Sequence, residues 1–126
     1  MRYEVIIKSD FSAAHRVQLH KAGKESLHGH NWLVEANITS PTLDENGMVI
    51  DFIHAREHLK AVLAELDHRN LNESSLLSGD NPTAERIARF IYENLEKYIT
   101  AHGAELRSIT VWETRNCAAI YKNPVD

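Results

Sequence analysis

From residue 28 to residue 38 the chain alternates. His28, His30, Trp32, Val34, Ala36 and Ile38 share one parity, while Glu35 and Asn37 take the other, followed by Thr39. A period of two over this length predicts a half-buried β-strand. Successive side chains of a strand point to opposite faces, so His28 and His30 project together from the apolar side. Gly29 between them has no side chain to crowd whatever they hold. A third histidine from a neighbouring strand would complete the three-ligand set of catalytic zinc, leaving a fourth position for water or substrate. His15, in the extended stretch Phe11-Ser12-Ala13-Ala14-His15-Arg16, is the candidate. His-x-His alone is a weak signal in a chain with eight histidines. The competing reading is a pair of strand histidines satisfied by backbone groups or by each other.

The remaining pattern supplies the rest of the layer. Residues 3–8 read as a strand with β-branched residues at its centre, continued in extended or bulged form by 11–16. The polar segment from His20 to Ser26 is a loop. Residues 41–47 are turn-rich and end in Asn46-Gly47, after which 48–50 read as a short strand. Phe52, Ala55, Leu59, Val62, Leu63 and Leu66 predict a helix over about 51–66. Past a polar loop at 73–80, Asn81-Pro82 reads as cap and first turn of a second helix. That helix carries the stripe Ala84, Ile87, Ala88, Ile91, Leu95 and Tyr98, and Gly103 is its stop. Strands at 106–114 and 118–122 form a hairpin across Arg115-Asn116-Cys117. The order ββ(β)-α-α-ββ predicts an α+β fold, an antiparallel sheet with two helices on one face, in one domain over 1–126. Open edges and a bare second face lead us to expect association between copies.

Charge and cysteine usage narrow the function classes. A net charge of -4 with no run of Lys or Arg argues against a nucleic-acid or membrane-surface partner, though phosphate-bearing small molecules need only local charge. No apolar run reaches membrane-spanning length, and the first residues read as a strand rather than a signal peptide. A single cysteine, Cys117, fits a reducing cytoplasm and reads as a structural thiol.

Several groups have two readings. Asp67-His68, at a helix C-terminus, is either a histidine favoured by the helix dipole beside a solvated aspartate, or a proton-transfer pair. Sequence neighbours on a helix do not face each other, which favours the first. Glu113 shares parity with Ile109 and Val111, a costly place for a carboxylate without a partner. It pairs there with a buried Arg, or it binds a ligand presenting adjacent N–H donors. His54, His58 and His102 read as solvated helix residues, and His20 as a surface loop residue.

Taken together, the motifs resemble the 6-pyruvoyl-tetrahydropterin synthase / 6-carboxy-tetrahydropterin synthase family. They are Phe11-Ser12-Ala13-Ala14-His15-Arg16, His28-Gly29-His30, Gly47-Met48-Val49 with Asp51-Phe52, Leu66-Asp67-His68 with Leu71-Asn72, Asn81-Pro82-Thr83 with Glu85, and Glu113-Thr114. The resemblance implies a tunnelling fold whose subunits form barrels, commonly a hexamer with sites between subunits. It implies zinc on His15, His28 and His30, and a pterin anchored by Glu113 with Thr83 or Thr114 nearby. It also implies that Asp67 and His68 form a proton relay, reversing the order of the two readings above.

One departure bears on the reaction. The family's usual catalytic cysteine stands four residues before the first histidine of His-Gly-His, and Lys24 stands there in this chain. Cys117 lies in the wrong segment to replace it. Glu25 follows, and Glu25-Ser26-Leu27-His28-Gly29-His30 resembles a branch with glutamate at this place, which converts dihydroneopterin triphosphate to 6-hydroxymethyl-dihydropterin. A carboxylate can take a proton from a hydroxyl that zinc has acidified, followed by retro-aldol cleavage of the adjacent carbon–carbon bond. Lys24 would hold the triphosphate or favour the ionised form of Glu25. The alternatives are the ordinary pyruvoyl or carboxy synthase reaction with a changed base, and a non-catalytic zinc- and pterin-binding homologue.

Overall fold

The computed structural model describes residues 1–19, 23–77 and 81–124; His20 lies outside them. Two long strands dominate it: β1 (Tyr3–His15) and β4 (His28–Ser40) pair antiparallel along their whole length, from Tyr3↔Ser40 to His15↔His28. Between them a two-residue ribbon, β2 (Gln18–Leu19) with β3 (Gly23–Lys24), carries the chain across. The continuous β1 joins the two stretches read separately from the sequence. β5 (Arg69–Asn70) adds a short parallel pairing at Ala13 and Ala14. β6 (Glu105–Thr114) and β7 (Cys117–Lys122) complete a five-stranded sheet in the order β5-β1-β4-β6-β7.

The helices cover one face. α1 (Phe52–Ala64) begins where the Asp51 carboxylate accepts from the backbone N–H of Ile53 at 2.8 Å and of His54 at 3.2 Å. It buries Ala55, Leu59, Val62 and Leu63. It is shorter than the predicted 51–66 because a turn over 65–68 ends it. α2 (Ala84–Ala101) is capped by Thr83, two residues later than the Asn81 cap expected, and Gly103 at φ 82° lets the chain leave it. Ile87, Ala88, Ile91, Tyr92, Leu95 and Ile99 are buried; Tyr98 is half-buried at the stripe's margin. Two single-turn 3-10 helices, Leu71–Glu73 and Ser75–Leu77, interrupt the polar loop before it.

The expected strand at 48–50 does not form. The Asp44 carboxylate accepts from the N–H groups of Asn46 (2.8 Å) and Met48 (3.0 Å), and the Asp44 N–H donates to the Met48 carbonyl. This closes a loop that presents Val49 and Ile50 to the core without a ladder.

Register decides what each face carries. Odd positions of β1 pair with even positions of β4, so Ile7, Phe11, Ala13 and His15 face the helices with Trp32, Val34, Ala36 and Ile38. Trp32 is fully buried, stacks on Phe11 at 5.9 Å and donates its indole N–H to the Ala13 carbonyl at 3.2 Å. The opposite face has no cover among the described residues and leaves Ile6, Leu33 and Ile120 exposed. No helix among the described residues is long and apolar enough to cross a membrane.

Candidate active site

The β1–β4 register brings the three histidines together. His15 pairs with His28, and His30 lies two pairs further along opposite Ala13, all on the covered face. Their candidate ligand nitrogens lie within 4.8 Å of one another, close enough to converge on one ion. The rings stand edge to face, with His15–His28, His28–His30 and His15–His30 centroids 4.8, 4.7 and 5.3 Å apart. Trp32 forms an apolar floor against His15 and His30. Gly29 points to the other face, and a Cβ there would meet only the Ala13 carbonyl at 4.0 Å. It does not make room for the metal, as the sequence suggested, but lines a cavity on the far side.

Hydrogen bonds set the tautomers. The Nδ1 of fully buried His15 donates to the Pro82 carbonyl at 2.8 Å, and that of His28 to the Ser26 carbonyl at 2.7 Å. Each bond leaves an Nε2 lone pair, as in histidine metal ligands oriented by backbone carbonyls. Burial is the largest influence on His30 and lowers its pKa; Glu113 opposes this, while His15 and His28 add to it. Neutral imidazole is the form that binds metal. The Nε2 atoms of His15 and His30 are buried with no hydrogen-bond partner among the described residues. Glu113 Oε1 lies 3.0 Å from His15 Nε2 and 3.7 Å from His30 Nε2, in ion-pair range but without a hydrogen bond. With the His15 proton committed at Nδ1, its Nε2 lone pair faces a carboxylate, and a divalent cation satisfies that arrangement. The donor set fits zinc.

Glu113 reaches the histidines because it keeps the covered-face parity of Ile109 and Val111 along β6. Trp112 pairs with Ala118 and Thr114 with Cys117, leaving Glu113 at a bulge without a partner in β7. Thr83 Oγ1 caps α2 by accepting from the Arg86 N–H at 3.3 Å, and exposed Thr114 accepts from the Asn116 N–H at 3.2 Å. Cys117 is exposed at the start of β7.

Asp67 and His68 lie on the turn after α1, not on the helix. His68 takes φ 58°, the left-handed region, and this lets neighbouring side chains meet with His68 Nδ1 3.1 Å from Asp67 Oδ1. The turn is clamped to β1, since Asp67 Oδ1 accepts from the Ser12 N–H at 2.8 Å and the His68 N–H donates to the Ser12 carbonyl at 2.6 Å. The His68 ring is 79% exposed. It lines an open cavity of about 440 Å³ with Ser12, Gly29, His30, Asn31 and Arg69.

Glu25 follows β3 and is fastened at both ends of its residue. Its Oε1 accepts from the Val17 N–H at 3.0 Å, and its own N–H donates to the Val17 carbonyl at 3.1 Å. Its charge is the smallest of the influences on His30, and it stands three residues before His28 in the chain. Lys24 is in register with Gln18, and its side chain lies outside the described part. The carbonyls of Pro82 and Ser26 carry no signal in the sequence; the Asn81-Pro82 motif marks a helix start and a family resemblance, and neither points to the bond to His15.

The chain matches the family model described as 6-pyruvoyl tetrahydropterin synthase over residues 4–124. It is 34% identical over 113 residues to a dihydroneopterin monophosphate aldolase of Pyrococcus furiosus, covering 90% of this chain and 91% of that one. It is 38% identical over 119 residues to a putative 6-carboxy-5,6,7,8-tetrahydropterin synthase of Archaeoglobus fulgidus, covering 92% and 94%. Its fold matches the 6-pyruvoyl tetrahydropterin synthase structure of Caenorhabditis elegans with a TM-score of 0.83 at 24% identity, over 98% of this chain and 96% of that one. By sequence, motif order and fold alike, the chain belongs to the 6-pyruvoyl tetrahydropterin synthase family, with a function of the pterin synthase or aldolase type.

Proposed function

We propose that the chain is a zinc-dependent aldolase-type lyase that cleaves the side chain of a phosphorylated 7,8-dihydroneopterin to release 6-hydroxymethyl-7,8-dihydropterin. The observation that carries this reading is the Glu25 carboxylate, ordered by the Val17 N–H on the segment that leads into His28 and that holds no cysteine. The Pyrococcus furiosus relative, a dihydroneopterin monophosphate aldolase, supports the same reaction class.

His15, His28 and His30 would hold the zinc, which supplies Lewis acidity toward a substrate oxygen. Glu113 binds the amino and ring N–H edge of the pterin. Glu25 takes the proton of the 2′-hydroxyl as the C1′–C2′ bond breaks. The bonding pair passes into the C=N bond of the dihydropterin ring, and C2′ leaves as the aldehyde of a phosphorylated two-carbon fragment. His68, oriented by Asp67, returns a proton to C1′. Lys24 takes the substrate phosphate, and Thr83 and Thr114 stand as further pterin contacts. The bare sheet face and open strand edges favour a homo-oligomer, of which a hexamer is the form we propose, working in the cytoplasm.

A 6-carboxy-tetrahydropterin synthase with an altered base is the second reading, favoured by the Archaeoglobus fulgidus relative. Incubation of the zinc-loaded protein with 7,8-dihydroneopterin mono- and triphosphate, followed by mass analysis, separates the two. The aldolase reading predicts 6-hydroxymethyl-7,8-dihydropterin together with glycolaldehyde phosphate or its triphosphate counterpart. A carboxy- or pyruvoyl-tetrahydropterin product would replace it with the second reading, and unchanged substrate would overturn both.

A further inference from the structure

The three residues after His15 have both backbone groups engaged. The Arg16 N–H donates to Asn72 Oδ1 at 2.8 Å, and its carbonyl accepts from Asn72 Nδ2 at 2.9 Å. The Gln18 N–H donates to Asn81 Oδ1 and its carbonyl accepts from Asn81 Nδ2, both at 2.8 Å. Val17, between them, faces the other way and exchanges both its groups with Glu25. A carboxamide carries a donor and an acceptor side by side, so one asparagine can pair with both backbone groups of a residue as a neighbouring strand would.

The two asparagines are themselves anchored. Asn72 follows Leu71, which is 1% exposed, and its N–H donates to the Asn70 side chain at 3.0 Å. Asn81 precedes Pro82, whose carbonyl holds the His15 ring. Two adjacent residues at the start of α2 therefore fix both the histidine and the backbone three residues beyond it. The β2–β3 ribbon has only two residues per strand, too few to hold this segment unaided.

We infer that Asn72 and Asn81 are positioning residues for Glu25. Their amides hold Arg16-Val17-Gln18 as a rail, and the rail sets where the Glu25 carboxylate stands relative to His15. This rests on the reading of Glu25 as the base. A purely structural role would weaken fold and zinc retention and would multiply with any other defect. A positioning role acts only through Glu25.

The test is a mutant cycle on the zinc-loaded protein with 7,8-dihydroneopterin monophosphate as substrate, combining Asn72→Ala and Asn81→Ala with Glu25→Gln. Each asparagine variant should lose about 10- to 100-fold in kcat with KM held within about threefold, the scale of a misplaced catalytic group. Zinc content should stay unchanged. In the Glu25→Gln background the same substitutions should cause no further loss, because residues acting as a unit are not additive. Should the alanine forms not fold, Asn72→Asp and Asn81→Asp, which keep the acceptor and lose the donor, make the same comparison. Losses that multiply in full with Glu25→Gln, or asparagine variants with native kcat beside an inactive Glu25→Gln, would overturn the inference alone. Full activity of Glu25→Gln would overturn the functional reading and the inference with it.

Discussion

The ring of His15 is held by the carbonyl of Pro82, 67 positions away in the chain, through a 2.8 Å bond from Nδ1. This one contact joins the end of β1 to the start of α2 and commits the proton to the side away from His28 and His30. The buried Nε2, with no hydrogen-bond partner among the described residues, then carries the lone pair that a metal ligand needs.

Metal retention should follow from it. Native protein is expected to carry one zinc per chain, and His15→Ala or His30→Ala should lose it on dialysis against a mild chelator, read by elemental analysis. Zinc at about 100 times its dissociation constant should stabilise the fold by about 2.7 kcal/mol, seen as a higher melting temperature than that of the stripped protein.

His68 separates stability from chemistry. A residue other than glycine in the left-handed region costs roughly 1–2 kcal/mol, so His68→Gly should match or exceed the native stability by about 1 kcal/mol. The same variant should lose turnover, since the ring 3.1 Å from Asp67 is gone. Denaturant unfolding and a turnover assay on one preparation check both halves.

Glu113→Gln keeps the shape and removes the charge. Losing charge-assisted hydrogen bonds to the pterin, worth about 1.5–3 kcal/mol, should weaken pterin binding roughly 10- to 100-fold with zinc retained. Fluorescence titration with a non-reacting pterin measures it.

The fold has an alkaline limit set in part by Tyr92. Its hydroxyl donates to the Leu106 carbonyl at 3.1 Å and lies 3.2 Å from Glu96; burial, followed by the Glu96 charge, pushes its pKa up to about 12. The unfolded chain ionises near 10.0, so between pH 10 and 12 the native state holds a proton that the unfolded state has lost. Stability is therefore full below pH 10 and falls as pH rises through that window. Tyr92→Phe should flatten this part of the curve, measured as the denaturant midpoint against pH.

What the sequence made legible was periodic. The alternation of β4 placed His28, His30 and Trp32 on the buried face, and Glu113 was found from its parity with Val111. Contacts between distant segments were not legible. Nothing local distinguishes the Asp44 side chain that folds 44–48 into a loop from a turn leading into a strand. The meeting of Asp67 with His68 depends on one left-handed residue, which helical spacing rules cannot foresee. The pairing of Val17 with Glu25, and the asparagines behind it, crosses an irregular loop with no period at all.

The central claim is that Glu25 replaces the missing thiol as base. It is tested most directly by the rate of side-chain cleavage of 7,8-dihydroneopterin monophosphate by zinc-loaded Glu25→Gln. A fall of about 10²- to 10⁴-fold with zinc content intact is the predicted result. A rate within about threefold of native, with 6-hydroxymethyl-7,8-dihydropterin still formed, would contradict it, because a lost general base costs at least about 100-fold.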